Sequence, residues 1–388
     1  MANLYDKAGL VNIPVGYQDG FLYNIKPEDN TLGFRFNRDS AATRVNKEGL
    51  IEEILGDKPR IDYTDSLTSP SFLLEPQSTN LVTYSEDFSQ WGTVNGVVVT
   101  NNFTTSPDGT QNAAKVVYNG TSLGRIEIST GASGTNTQSI YLKTISGTQT
   151  VSIGSSSSDL TEVTVTSEWQ RFTHTGSGNY PRVLCNDATT IYIWGAQLEE
   201  KSYPTSYIPT AGSTATRAQE TCNGAGNAST FNSTEGVLYA EIAALADDET
   251  YRLISISDGS NNKITLGYSN QNNALIAQII SGGSNVVNLE PINVSDITDF
   301  NKIAFSYKTN DCKVYVNGSL VATDITATMP TGLNQLNFDY AYALDFYGKT
   351  KGIYVFNEAL TDDELQQLTG PEYNSFAALA AAYNYTVI

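Results

Sequence analysis

The chain is poor in the residues on which most enzymes rely. It has one histidine, His174, and three cysteines, Cys185, Cys222 and Cys312, in 388 residues. The histidine lies in Phe172-Thr-His-Thr175, and no G-x-S-x-G turn or cysteine-centred motif stands ready to complete a nucleophile, base and acid set. An exposed or half-buried strand histidine is expected. An odd number of widely spaced cysteines makes neither a disulfide framework nor a zinc pattern, and fits folding in a reducing cytoplasm. Bases are scarce as well. Lys and Arg number 22 against 41 Asp and Glu, a formal charge of −19, which argues against nucleic acid or an anionic membrane as partner, because neutralising phosphates takes clustered cations. The acidity is read as solubility at high local copy number. No apolar run approaches the roughly 18 residues of a membrane span, and the amino terminus lacks a basic start followed by an apolar core.

Paired-carboxylate chemistry is missing too. Acids at alternate strand positions, as in the E-x-D-x-x-E pattern of sandwich-fold glucanases, do not occur. The runs Glu199-Glu200, Asp247-Asp248-Glu249 and Asp362-Asp363-Glu364 fall in turns or at a helix start. There is no G-x-x-x-x-G-K-[ST] phosphate loop. Ca²⁺ is the one ion with a candidate loop, Ser257-Asp258-Gly-Ser-Asn261-Asn262, whose residues serve turn geometry equally well. A non-enzymatic chain without a cofactor is expected.

Tyrosine is abundant, at 23 residues, alongside 31 glycines and a low charged fraction of 16%. That balance favours many short strands and turns over long surface helices. The length exceeds one ordinary domain. The stretch Ile191–Arg217 reads as a joint: a β-branched and aromatic strand ends, two proline turns follow at Pro204 and Pro209, and small residues run on until strands resume at Gly236. Ala215-Thr-Arg217 echoes Ala42-Thr-Arg44, too briefly to make a repeat. The fold class expected is all-β, with two jelly-roll β-sandwiches after an extended amino-terminal region that must be ordered by neighbours, and short carboxy-terminal helices; the resemblance described below implies that the sandwiches are concanavalin A-like and the amino-terminal region an anchoring one. The boundaries are 1–80 for the amino-terminal region, 81–218 and 219–370 for the sandwiches, and 371–388 for a helical tail. A chain starting near Leu81 is expected to fold by itself.

In the first sandwich the candidate strands include 94–100, 113–118, 137–143, 160–165 and 191–194. Trp169 and Trp194 are expected as core pillars. In the second, Lys313-Val-Tyr-Val-Asn-Gly-Ser-Leu-Val321 predicts a hairpin whose Asn317-Gly318 turn supplies the positive φ angles of a two-residue loop. Thr361-Asp-Asp-Glu364 predicts a capped helix stopped by Gly370-Pro371. Phe376, Leu379, Ala380 and Tyr383 lie at i, i+3, i+4 and i+7, so a short helix with an oligomer or docking face of Phe376, Leu379 and Tyr383 is expected.

Several stretches carry a family likeness. Phe36-Asn-Arg-Asp-Ser-Ala-Ala-Thr-Arg-Val-Asn-Lys-Glu-Gly-Leu-Ile-Glu52, Pro59-Arg-Ile-Asp-Tyr63, Pro70-Ser-Phe-Leu-Leu-Glu-Pro-Gln-Ser-Thr-Asn-Leu81 and Tyr84-Ser-Glu-Asp-Phe-Ser-Gln-Trp91 resemble the amino-terminal region of tailed-bacteriophage fibre and appendage proteins. Trp194-Gly-Ala-Gln-Leu-Glu-Glu200 with Pro204-Thr-Ser-Tyr-Ile-Pro-Thr210 looks like the end of the carbohydrate-binding-like sandwich that follows in such proteins. The module from Gly236 is similar to concanavalin A-like or laminin G-like lectin domains, on the hairpin at Val314–Val321 and the closing Phe356-Asn-Glu-Ala-Leu-Thr-Asp-Asp-Glu-Leu365. The resemblance implies a structural virion component on head or tail. It also implies a trimer, partner virion proteins bound through the amino-terminal region, and contact with host cell-surface glycans. A glycan-binding adhesin is the rival reading and a polysaccharide depolymerase a third. Tyr268, Tyr340 and Tyr342 are the candidate glycan contacts, since lectin-like sandwiches set exposed aromatics against sugar rings.

Overall fold

The computed structural model describes residues 4–13, 16–18, 20–28, 32–340 and 344–371. The chain divides into two compact units, one of Phe36–Thr221 and one of Met1–Arg35 with Cys222–Ile388. Both are built from antiparallel strands, and the helix Asp362–Thr369 is the longest among the described residues. The joint expected within 191–217 falls slightly later, between Thr221 and Cys222.

Residues 1–80, read above as one amino-terminal region, are shared between the units. Ala8–Asn12 pairs with Gly348–Phe356 and buries Leu10 and Val11, so the start of the chain completes the lectin-like unit. Residues 36–80 belong to the other unit. Their glycines and prolines obscure a strand pattern: Ala42–Val45 pairs with Ile51–Ile54 and Arg60–Asp62 with Ser71–Leu74, each strand only three or four residues long.

In the unit Phe36–Thr221, two five-stranded sheets face each other. One runs in the order Gly92–Val94, Gly124–Glu127, Arg182–Cys185, Gln149–Gly154, Leu160–Val165. The other runs Val98–Thr104, Ala113–Asn119, Ala188–Glu199, Asn136–Thr144, Gln170–Gly176. Strand alternation sends Val116, Ile140, Leu142, Ile191 and Ile193 from the second sheet against Ile126, Val151, Ile153 and Val183 of the first. The strand expected at 94–100 is broken, because Asn95 and Gly96 both take positive φ and turn the chain from one sheet to the other. The strand that begins before Ile191 continues to Glu199, with Gly195 at φ +63° where the register with Asn136–Thr144 shifts. Trp194 is 1% exposed and packs on Tyr207 and Tyr141. Trp169 is only half-buried, at the rim of that cluster, and so is not the core pillar expected.

Residues 36–80 are held by buried charge. Glu220 accepts from Arg38 Nη1 at 2.6 Å, from Arg60 Nε at 2.9 Å and from the Glu75 backbone N–H at 2.8 Å, and it also pairs with Arg60 Nη2. Glu75 pairs with Arg60 and Arg217, each at 2.8 Å, and accepts from the Ser206 hydroxyl and N–H. These five charged side chains are at most 3% exposed. Burial by itself would raise the Glu75 carboxyl, but the guanidiniums of Arg217 and Arg60 hold it well below the ordinary carboxylate range. Three of the five lie before Leu81. A chain begun there would leave Arg217 and Glu220 without these partners, which argues against its folding by itself. The Ala-Thr-Arg echo is not a structural repeat either, since Arg217 is in the network and Arg44 pairs with Glu52 at the surface.

The other unit has the concanavalin A-like jelly-roll form. One sheet carries Ser319–Asp324, Cys312–Val316, Asn301–Lys308, Glu235–Ala244 and Gly348–Phe356 in that order, and the facing five-stranded sheet is described below. Asn317 and Gly318 take φ of 49° and 86° between the paired Val316 and Ser319, which is the two-residue hairpin expected. Thr361 and Glu364 cap the helix reciprocally. The predicted tail helix, with Phe376, Leu379 and Tyr383, lies outside the described residues.

Candidate functional site

The five-stranded sheet of the lectin-like unit runs Ser284–Asn293, Ala274–Ser281, Lys263–Tyr268, Arg252–Ser257, Gln335–Asn337. Alternation decides which face each residue takes. Tyr268 points inward, its hydroxyl donating to the Ile242 carbonyl of the opposite sheet at 2.7 Å, so Leu266 and Ile264 share that side. Lys263 and Thr265 point the other way. The register then aligns Asn337, Ser255, Thr265, Gln278 and Asn288, one from each strand, in a single cross-strand row of amides and hydroxyls on the outer face.

The segment after Phe338 lies over this row. Ser255 donates to the Asp339 carbonyl at 2.7 Å, and the Tyr340 hydroxyl donates to Gln278 Oε1 at 2.8 Å. The Lys263 ammonium sits 4.1 Å from the Tyr340 ring centre. Gln278 Nε2 donates in turn to Asn288 Oδ1 at 3.2 Å. Burial lowers the Lys263 ammonium against the opposing pull of Asp258 and Asp339, and burial raises the Tyr340 hydroxyl. The row is graded in depth: Ser255, Thr265 and Asn337 are buried, Gln278 and Tyr340 half-buried, and Asn288 exposed. Thr265 Oγ1 and Asn337 Nδ2 are buried with no hydrogen-bond partner among the described residues. Such atoms cost roughly 1–3 kcal/mol each, and both lie beneath the segment after Phe338, so the accessible part of the row is Gln278, Asn288 and Tyr340.

Of the three tyrosines expected to touch glycan, the structure brings one to this face. Tyr340 lies on it. Tyr268 is 0% exposed and hydrogen-bonded inside the sandwich, which removes it as a contact. Tyr342 lies outside the described residues. Sequence reading missed Ser255, Thr265, Gln278, Asn288 and Asn337. The signal was their regular polar interruption of otherwise apolar strands, which acquires meaning only once the register is known.

Other chemistry-bearing groups are engaged internally. Asp258 accepts from the Ser260 and Asn262 N–H groups and from Asn262 Nδ2, which closes the candidate Ca²⁺ loop as a turn. His174 is 5% exposed rather than half-exposed, with Nδ1 2.9 Å from the Thr161 hydroxyl and Nε2 3.5 Å from Asp159. The three cysteines are free and buried. In the Phe36–Thr221 unit a cleft of about 170 Å³ opens beside Gln77, Ser78, Thr79, Leu81, Glu200 and Lys201.

Residues 227–366 match the family model of the concanavalin A-like lectin/glucanases superfamily. No curated protein matches the chain. Among solved structures, the chain is similar to the CBM40 of the Ruminococcus gnavus IT-sialidase bound to alpha2,3-sialyllactose. The identity there is 21% and the TM-score 0.33, over 38% of this chain and 94% of that one. Domain 4 of AbnA, a GH43 extracellular arabinanase from Geobacillus stearothermophilus in complex with arabinotriose, shows 13% identity and a TM-score of 0.33, over 44% and 84%. A leech intramolecular trans-sialidase shows 21% identity and a TM-score of 0.30 over 37% of this chain, which spans only 24% of that enzyme. Likeness at this level does not bear on ligand.

Proposed function

We propose that the lectin-like unit binds saccharides on the outer face of its five-stranded sheet. The observation that carries this reading is the accessible end of the cross-strand row, where the Tyr340 hydroxyl, the Gln278 amide and the exposed Asn288 amide form one hydrogen-bonded series beside the Tyr340 ring. Sugars present dense hydroxyls with a ring face, and the row with Tyr340 offers matching donors, acceptors and an aromatic surface. The match of residues 227–366 to a superfamily that includes lectins supports it. We read the unit as non-catalytic. Of the acids at this face, Asp339 is held by Asn223 at 2.9 Å and Glu290 by the Tyr251 hydroxyl at 3.0 Å. The test is a glycan array probed with the full chain and with Gln278→Ala/Asn288→Ala. Binding by the parent and its loss in the variant are expected; no bound glycan, or binding unaffected by the substitutions, overturns the assignment. Reducing-sugar release from a bound polysaccharide would restore hydrolysis.

The amino-terminal motifs favour a second element. Their resemblance to phage appendage proteins supports placing this binding unit on the surface of a virion, attached through the amino-terminal segment and directed at host-surface glycans. Antibody raised to the chain should label purified particles, and light scattering should give a trimer mass. Unlabelled particles would remove the virion placement and leave a free adhesin.

A further inference from the structure

In the Phe36–Thr221 unit, the sheet centred on Ala188–Glu199 turns Val116, Ile191, Ile193 and Leu142 into the core, so the residues between them face outward. Lys115 is paired with Tyr192, and Tyr192 with Lys143, which gives a Lys-Tyr-Lys row across three adjacent strands. Two further rings frame it. Phe103, 43% exposed, stacks on Tyr192 with ring centres 5.9 Å apart and planes at 21°. The Lys115 ammonium lies 4.0 Å from the Phe103 ring centre and the Lys143 ammonium 5.6 Å from that of Trp169, whose indole N–H is fixed to the Thr105 carbonyl at 3.1 Å.

In a chain with 41 acids and 22 bases, neither Lys115 nor Lys143 forms an ion pair among the described residues, and the two stand in one cross-strand row on either side of a tyrosine. The two lysines are separated by two strand spacings, about 10 Å, with aromatic surface between them. The geometry points to a binding site for an acidic polysaccharide, its carboxylates on Lys115 and Lys143 and an intervening sugar ring on Tyr192 and Phe103. Three features favour that occupant. Two ammoniums on strands either side of Tyr192 can meet carboxylates on separate sugars of one chain. The ring faces suit the apolar face of a pyranose. A protein partner would have to desolvate both ammoniums, and a duplex carries one charge per roughly 1.7 Å of its axis, denser than two lysines can neutralise.

This site is independent of the saccharide row in the lectin-like unit, and its test separates them. The full chain and Lys115→Gln/Lys143→Gln are run by affinity electrophoresis through polygalacturonate, fully methyl-esterified polygalacturonate, polysialate, polyglutamate and duplex DNA. Tryptophan fluorescence checks that the variant is folded. The parent should be retarded by polygalacturonate or polysialate, with roughly tenfold weaker binding in the variant. Esterification should weaken binding to the level of the variant, and the lysine variant should keep the parent's binding to uncharged glycans on the array. Tyr192→Leu, which keeps the charges, should also weaken it. Retardation by neither acidic glycan overturns the proposal, as does equal binding of the esterified polymer or of the lysine variant. Equal binding of polyglutamate or DNA would show a charge patch without sugar recognition, and overturns it equally.

Discussion

Replacing Glu220 by Gln keeps the shape of the buried network and removes one charge from its centre. Glu220 is the one carboxylate paired with Arg38 among the described residues, whereas Arg60 retains Glu75. After the change, Arg38 has no charged partner, only neutral acceptors, the backbone carbonyls of Ser40, Ile54, Leu55 and Lys58 among them. The new amide must also turn a donor toward one guanidinium. Breaking a buried pair from one side costs about 3–5 kcal/mol because a charge is left uncompensated. With a urea slope near 2 kcal/mol/M, that is a midpoint lowered by about 1.5–2.5 M. The assay can be confined to the right unit: the three tryptophans, Trp91, Trp169 and Trp194, all lie within Phe36–Thr221, so their fluorescence follows that unit alone. Adding Arg38→Met to Glu220→Gln removes the stranded cation and should recover part of the loss, giving a coupling energy of more than about 1 kcal/mol. A Glu220→Gln midpoint within about 0.5 M of the parent, or a double variant no more stable than the single one, would refute this account of how residues 36–80 are held.

Three further outcomes are expected. Because the folded Glu75 carboxyl lies below its unfolded value of about 4.3, the stability it contributes is complete above that pH and is lost as pH falls toward the folded value. Urea midpoints read by tryptophan fluorescence should therefore fall below about pH 5 in the parent, and Glu75→Gln should be less stable at neutral pH with a shallower acid slope; parallel slopes would count against it. Gly318→Val places a branched side chain at φ 86°, with its Cβ 3.3 Å from Gly370 Cα, and should cost about 1 kcal/mol or more; an unaltered thermal transition by circular dichroism would contradict the tight turn. The Cys312 thiol is 1% exposed and pushed up to about 11 by burial, so it should resist alkylation until the lectin-like unit unfolds; labelling of Cys312 in native buffer would show local opening.

How much of this was legible beforehand follows from the range of the interactions. The hairpin at Asn317-Gly318 and the Thr361–Glu364 capping box are encoded within a few residues, and both stand where the sequence places them. Residues 36–80 were not legible in the same way. The segment looks unstructured because Arg38 and Arg60 find Glu220 across 182 and 160 residues, and no local pattern announces such a partner. The motif Leu74-Glu-Pro-Gln-Ser-Thr-Asn80 carried the likeness to appendage proteins. In the structure Glu75, Ser78 and Asn80 spend their polar atoms on Arg60, Arg217, Glu199 and the carbonyls of Ala196 and Ile208. A motif that suggested attachment to a particle is thus, in its visible chemistry, the means by which the sandwich holds its own first strands.

Composition misled in one respect for a related reason. A charge of −19 was read as a property of the whole surface, and for phosphate partners that average is the right quantity, because counterion release and long-range repulsion act over about a Debye length of 8–10 Å and beyond. Recognition of one or two sugars is decided within a few ångströms. At that range Lys115 and Lys143 set the local field, together with the rings of Phe103 and Trp169 that hold their ammoniums and Tyr192 stacked on Phe103. The two outer sheet faces therefore differ in kind although neither can be told from net charge: one is a neutral row of amides and hydroxyls, the other a cationic row with aromatic flanks. Salt separates them. Binding at the lysine row should weaken steeply as ionic strength rises, while binding at the row through Thr265 and Gln278 should change little, since its donors and acceptors carry no net charge.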